Sequence, residues 1–226
     1  MNYIKFLTVL LFAFTISSCE FGNSSTTDNP THGNSLTDTT TKPSGNKPEK
    51  TDNWLVVPGK HVGRIQAGFS GADIYKMFGK DNVMETEIGL GEGETKKGLL
   101  IFPKTKNELQ VLFEGDGKFD KIKNIKIKGE GSLWKTNDGI TIGTTLEDLV
   151  KINGKDFMFA GFEWDYAGVV TDWNLGKIDK KLGVYLEPTN MEAIFPDLIG
   201  DKEFSSSNEK AKAAGLKVAS FVVELN

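Results

Sequence analysis

Ile65-Gln66-Ala67-Gly68-Phe69-Ser70-Gly71-Ala72-Asp73-Ile74-Tyr75-Lys76-Met77-Phe78-Gly79-Lys80-Asp81 aligns without a gap to a later stretch of the same chain. That stretch is Ile140-Thr141-Ile142-Gly143-Thr144-Thr145-Leu146-Glu147-Asp148-Leu149-Val150-Lys151-Ile152-Asn153-Gly154-Lys155-Asp156, at a constant offset of 75 residues. Identical pairs include Gly68/Gly143, Asp73/Asp148, Lys76/Lys151, Gly79/Gly154 and Asp81/Asp156. Self-similarity of this kind sets the architecture ahead of any local reading. In each copy a hydroxyl residue, Ser70 or Thr145, is placed to accept from the free N–H groups of a first helical turn. Apolar residues follow at helical spacing: Ile74, Met77 and Phe78, or Leu146, Leu149 and Val150. A glycine, Gly79 or Gly154, then suits the left-handed position beyond a helix end. Each unit is expected to open with a short amphipathic helix.

Outward from the helices the pattern changes to strands. In the first unit 97–102, 108–114 and 122–128 read as strands, with 84–89 weaker, and Glu114-Gly115-Asp116-Gly117-Lys118 has turn chemistry. In the second, 157–165, 168–175, 182–187 and 217–225 are candidates, with Asp165-Tyr166-Ala167-Gly168 as a hairpin turn and 206–214 as a further short helix. Several meandering strands per helix favour α+β with antiparallel sheet. The expected organisation is two tandem repeats, 54–136 and 137–226, each a short helix plus about four strands, together forming one larger curved sheet with helices on one face.

The amino terminus carries a different signal. Lys5 is followed by an apolar run, Phe6 to Phe14, and then small residues, the parts of a secretory leader over residues 1–18. The run is too short for a mature transmembrane helix, which needs roughly 20 apolar residues. Ile16-Ser17-Ser18-Cys19 resembles the lipobox of bacterial lipoproteins, which implies a diacylglyceryl thioether on Cys19, cleavage before it and acylation (palmitate among the acyl chains) of the new amine. Glu20 is not the Asp linked with inner-membrane retention, so the resemblance points to the outer membrane of the cell envelope. Cys19 is the only cysteine, so no intramolecular disulfide can form. Residues 19–53 are rich in Ser, Thr, Asn, Gly, Pro and Asp and read as a lipidated, disordered tether.

Loss of Lys5 with the leader takes the formal charge from −4 to −5. An acidic chain argues against nucleic acid, whose binding needs clustered Lys and Arg. The membrane, reached through the lipid on Cys19, and an envelope protein are the expected partners.

The stretches ITIGTTLEDLVKINGKD and IQAGFSGADIYKMFGKD, with the FEGDGKFDKIKNIKI hairpin, resemble the unit of the β-lactamase inhibitor protein fold over about residues 62–226. The same unit occurs singly in small outer-membrane lipoproteins of the SmpA/OmlA type. The resemblance implies an eight-stranded sheet with helices on one face and a concave second face that grips a protein. This chain departs from it in having no disulfides, and no inhibitor contact loop is matched, so β-lactamase inhibition is not implied.

Catalytic chemistry finds little to work with, and no enzyme, cofactor or metal is expected. Nucleophilic catalysis needs a positioned base, and the two histidines are His32, within the tether, and His61, at its edge. A zinc site from His and Cys fails for the same reason. Asp116-Gly117 with Asp120 lacks the spacing of a calcium loop. Gly89-Leu90-Gly91-Glu92-Gly93-Glu94 does not match a phosphate loop, and its carboxylates would repel phosphate. Lys126 and Lys128 share a strand face opposite Ile125 and Ile127 and read as a solvated face. Glu163, Asp165 and Asp172 fall around one hairpin, the basis of a hydrolase alternative against a solvent-facing reading. The feature most suggestive of binding is aromatic: Phe162 and Trp164 on one strand face, with Trp173 brought near by the turn. Exposed, such residues anchor a protein or stack on glycan rings; buried, they are core under the helices.

Overall fold

The computed structural model describes residues 53–115 and 117–225. The leader, Cys19 and all of the tether but Asn53 lie outside the described residues. Three short strands come first: β1 (Leu55–Val57), β2 (His61–Val62) and β3 (Ile65–Gln66). Helix α1 (Gly71–Phe78) follows, capped at its start as its sequence requires, while Gly79 beyond its end takes φ 78° and ψ 159°, outside the left-handed helical region. The Asp73 N–H donates to Ser70 Oγ at 3.3 Å, and the Ser70 N–H donates back to Asp73 Oδ2 at 2.9 Å. This reciprocal box satisfies two of the donors that a helix start leaves free.

Four long strands then run as a meander: β4 (Val83–Gly91), β5 (Glu94–Ile101), β6 (Leu109–Phe113) and β7 (Ile122–Lys128). The β6–β7 turn is closed by the Glu114 N–H to Lys121 carbonyl bond at 2.8 Å and by the Lys121–Glu114 ion pair. After β8 (Lys135–Thr136) comes α2 (Leu146–Asn153), offset from α1 by the same 75 residues at both ends. Thr145 Oγ1 accepts from the Asp148 N–H, and Gly154 takes the left-handed conformation at φ 75°. The remaining elements are β9 (Met158–Ala160), β10 (Val170–Asp172), β11 (Leu182–Pro188), β12 (Glu203–Ser205), α3 (Glu209–Ala213) and β13 (Leu216–Glu224).

The fold is α+β with mostly antiparallel sheets. Its main sheet has six strands in the order β11-β13-β7-β6-β5-β4; β3-β2-β1-β8 and β10-β9-β12 form two smaller sheets. A single eight-stranded sheet is therefore not what forms, and the strands after α2 do not reproduce the meander after α1. The expected strands 157–165 and 168–175 shorten to three residues each. Glu163 (φ 66°) and Gly168 (φ 69°) turn the backbone out of the extended region, and β12 rather than the main sheet pairs with the free edge of β9.

One face of the main sheet makes the core. Leu99, Val111, Ile125, Val223 and Leu182 lie side by side across five of its strands and are at most 2 % exposed. Ile74 and Phe78 of α1 and Leu146 and Leu149 of α2 join them in one buried cluster. Burying each such side chain contributes about 1.5–3 kcal/mol, which lets a chain without disulfides hold together.

Helices α1 and α2 differ at their last residue. Phe78 packs edge-on against Phe102 with ring centres 5.4 Å apart. Asn153, fully buried, donates from Nδ2 to the Lys155 and Trp173 carbonyls at 2.9 Å each and accepts the Ile178 N–H on Oδ1 at 3.3 Å. A buried amide is tolerable when its bonds are all made, and here it fastens the 173–178 loop to the end of α2.

Candidate functional site

Because side chains alternate along a strand, the row next to the core row faces the opposite way. It runs Met84, Leu100, Gln110, Lys126, Val222 and Gly183 across all six strands. Leu112 and Asn124 stand beside it on the same face. This second face carries apolar residues where a purely solvated face would carry charge.

It is strongly curved. Six flat strands at about 4.8 Å spacing would hold the two edge strands about 24 Å apart. Instead Ile88 and Leu90 of β4, at one edge, and Tyr185 of β11, at the other, line the same cavity of about 170 Å³. Gln110, Leu112, Asn124, Lys126 and Val222 form its floor. Two features account for the curl. Gly98 leaves room for Ile88: a Cβ there would stand 2.5 Å from Ile88 Cδ1 and 2.6 Å from the Val111 carbonyl oxygen. The tip of the β4–β5 hairpin is also tied across, since the Tyr166 hydroxyl donates to Glu92 Oε1 at 3.2 Å. Tyr166 sits in the loop leading to Gly168, whose carbonyl accepts from the Leu186 N–H of β11 at 2.8 Å.

Lys126 gives this trough its polarity. Its Nζ lies 4.7 Å from the centre of the Tyr185 ring, and it has no carboxylate partner among the described residues. Burial, and secondly the neighbouring Lys128, lower its pKa from the usual lysine value. The solvated lysine face read from the sequence is thus half-enclosed at Lys126. The signal for this was present in the strands themselves: Leu100, Leu112 and Val222 interrupt the alternation that a one-sided sheet shows.

The aromatic residues singled out in the sequence do not share a surface. Phe162 is 5 % exposed and packs near Phe159, so it belongs to the core. Trp173 is half-buried against Phe157 at 5.1 Å, its indole N–H donating to the Leu182 carbonyl at 3.3 Å. Trp173 also borders a groove with Val170 and Leu175, and Trp164 lines a separate one, beside Tyr166 at 5.4 Å, with its N–H donating to the Gly161 carbonyl at 2.8 Å. Of the carboxylates, Asp172 accepts the Asn174 N–H at 2.7 Å in a local turn, while Glu163 and Asp165 are exposed. His61 lies on β2 with a buried Nδ1 that meets no partner among the described residues. No group of three or more His, Cys, Asp or Glu residues is placed to hold a metal ion among the described residues. No described helix is long and apolar enough to cross a membrane.

No protein-family model, curated protein or solved structure matches the chain.

Proposed function

We propose that this chain is an exported, lipid-anchored, non-enzymatic module of the bacterial cell envelope that binds a protein through the concave face of its main sheet. Cys19 carries the lipid, with the outer membrane as its site, and residues 20–53 hold the folded part away from the bilayer. The observation that carries the binding reading is the row Leu100–Gln110–Lys126–Val222: apolar and half-desolvated side chains on the sheet face opposite the one where α1 and α2 join the core, among the described residues. An apolar floor with a few placed polar groups is how proteins present a recognition surface. The hydroxyl caps that both helices share at their starts and the equal lengths of α1 and α2 support descent from two copies of one helix-plus-strands unit, as in the β-lactamase inhibitor protein fold and SmpA/OmlA-type lipoproteins.

Photo-crosslinking in the producing cell tests the reading. A benzophenone side chain at Leu112, on the concave face, should trap one discrete protein species, and the same probe at Lys151, exposed on α2, should not. The same adducts from both positions, or none from Leu112, would remove the proposal.

A further inference from the structure

The groove beside Trp164 has chemistry of its own, separate from the concave face. It has a volume of about 440 Å³, and Trp164 and Tyr166 line it together with Val169 and Thr171. The two rings stand at 70° with centres 5.4 Å apart, two adjoining walls of an aromatic corner. Trp164 is pinned by the bond from its N–H to the Gly161 carbonyl, so the ring's face rather than its donor is offered to a ligand.

The rim is acidic. Asp201 and Glu203 line the groove, and neither is hydrogen-bonded or ion-paired through its side chain among the described residues. Around Tyr166, Glu92 first, then Asp165 and Glu94, favour the protonated hydroxyl and raise its pKa, a sign of the negative potential at this end. The cation on the rim, Lys202, is turned onto the Phe204 ring at 5.1 Å. An aromatic face attracts a cation through its quadrupole, and free carboxylates beside it add charge complementarity. Anionic ligands are repelled on the same grounds.

We propose that this groove receives an arginine side chain of a protein partner, the guanidinium stacking on Trp164 and donating to Asp201 and Glu203. A planar guanidinium meets both requirements at once, stacking on a ring and donating in a fork to carboxylates. The proposal shares with the functional reading only that the partner is a protein; it concerns a different surface.

The test is a titration of the full chain in detergent micelles, followed by the Trp164 indole N–H resonance, which is assigned by its loss in Trp164→Phe. The probes are an acetyl-Gly-Arg-Gly amide, the same peptide with citrulline for arginine, and the disaccharide maltose. A saturable shift is expected with the arginine peptide alone, weakening as salt is added. Asp201→Asn with Glu203→Gln should raise its dissociation constant roughly tenfold, since cation–aromatic and charge terms of this kind are each about 0.5–2 kcal/mol. Equal binding of the citrulline peptide would overturn the cationic assignment, and response to maltose alone would make the groove a saccharide site. No shift with any probe would overturn the site itself. Each of these results leaves the Leu112 crosslink unaffected, so the two readings fail separately.

Discussion

The Tyr166 hydroxyl donates to the Glu92 carboxylate at 3.2 Å, joining the tip of the β4–β5 hairpin to the loop that runs into the opposite edge of the main sheet. That bond spans the mouth of the concave face. Glu92 raises the Tyr166 pKa, so the folded state holds this proton more tightly than the unfolded one. The contribution is therefore complete below the ordinary tyrosine range and lost as the pH rises through the folded value. A phenolate beside Glu92 then repels it. Spectrophotometric titration of the phenols should show one tyrosine titrating late, returning toward the ordinary range in Glu92→Gln. An unchanged titration curve in that variant would mean that the bond is not formed in solution.

Gly98 controls the curl from the other side. A methyl group at that position meets Ile88, which can rotate, and the Val111 carbonyl oxygen, which cannot. Gly98→Ala should destabilise the chain by about 1–3 kcal/mol, the usual cost of forcing an extra group into a packed site. Ile88→Ala costs stability itself, because Ile88 is buried, so the two changes together should cost less than the sum of each alone. Denaturant midpoints of the single and double variants decide it, and strict additivity would show that the Ile88 contact plays no part.

How much of this was legible in the sequence follows from how local each feature is. The helices were, because cap, apolar spacing and terminal glycine all lie within a dozen residues of each other at 70–79 and 145–154. Most of the meander from Val83 to Lys128 was also legible, since its strands follow one another in sequence, although connections of seven and eight residues separate β5 from β6 and β6 from β7. The partition of the later strands was not. Whether Met158–Ala160 joins the main sheet or pairs with Glu203–Ser205 depends on a partner more than forty residues away. The aromatic hairpin was left open between core and surface for the same kind of reason: Glu163 at φ 66° turns Phe162 into the core and leaves Trp164 outside. The apolar residues of the concave face, Leu100, Leu112 and Val222, stood in plain view, but their departure from alternation reads equally as deeper core.

The helix caps give a pH prediction with a defined sign. Hydrogen bonds from Ser70 hold Asp73 below the usual carboxylate range, and bonds from Lys151 and Thr145 do the same for Asp148. Depressed carboxylates stabilise the fold above their unfolded pKa and lose that contribution as the pH falls through the folded value. Thr145→Ala should cost about 1 kcal/mol. The gap between the unfolding midpoints of wild type and Thr145→Ala should narrow without closing as the pH is lowered below the ordinary carboxylate range, since the Asp148 N–H to Thr145 bond does not titrate. A gap that stays constant through that range would separate the cap from the titration.

Asn153 sets the end of α2 apart from that of α1, where Phe78 stands. Replacing it with Phe, the residue at the end of α1, would strand the buried Ile178 N–H and take one of two donors from the Trp173 carbonyl, which keeps the Gly176 N–H. It would also drive a ring into Gly176, which packs directly against the amide. Each buried polar group left unpaired costs about 1–3 kcal/mol, so Asn153→Phe should destabilise strongly, by several kcal/mol. Hydrogen exchange should locate the damage in residues 173–178, and a loss confined to α2 would contradict the fastening role.

Lys126 separates stability from recognition on the concave face. Its ammonium is partly desolvated, an unfavourable term, yet it lies over the Tyr185 ring, a favourable one of about 0.5–1 kcal/mol at a site still open to water. Water that still reaches the head group screens the penalty further. Lys126→Met keeps an aliphatic stem beside Val222, its cross-strand neighbour, while removing the charge, so its unfolding free energy should stay within about 0.5 kcal/mol of wild type. A side chain present for folding would be silent in a binding assay once stability is matched. One present for recognition would not: the crosslink from Leu112 should fall in Lys126→Met while the unfolding curve stays in place. If the crosslink persists unchanged, the apolar row alone carries recognition and Lys126 is a bystander on it.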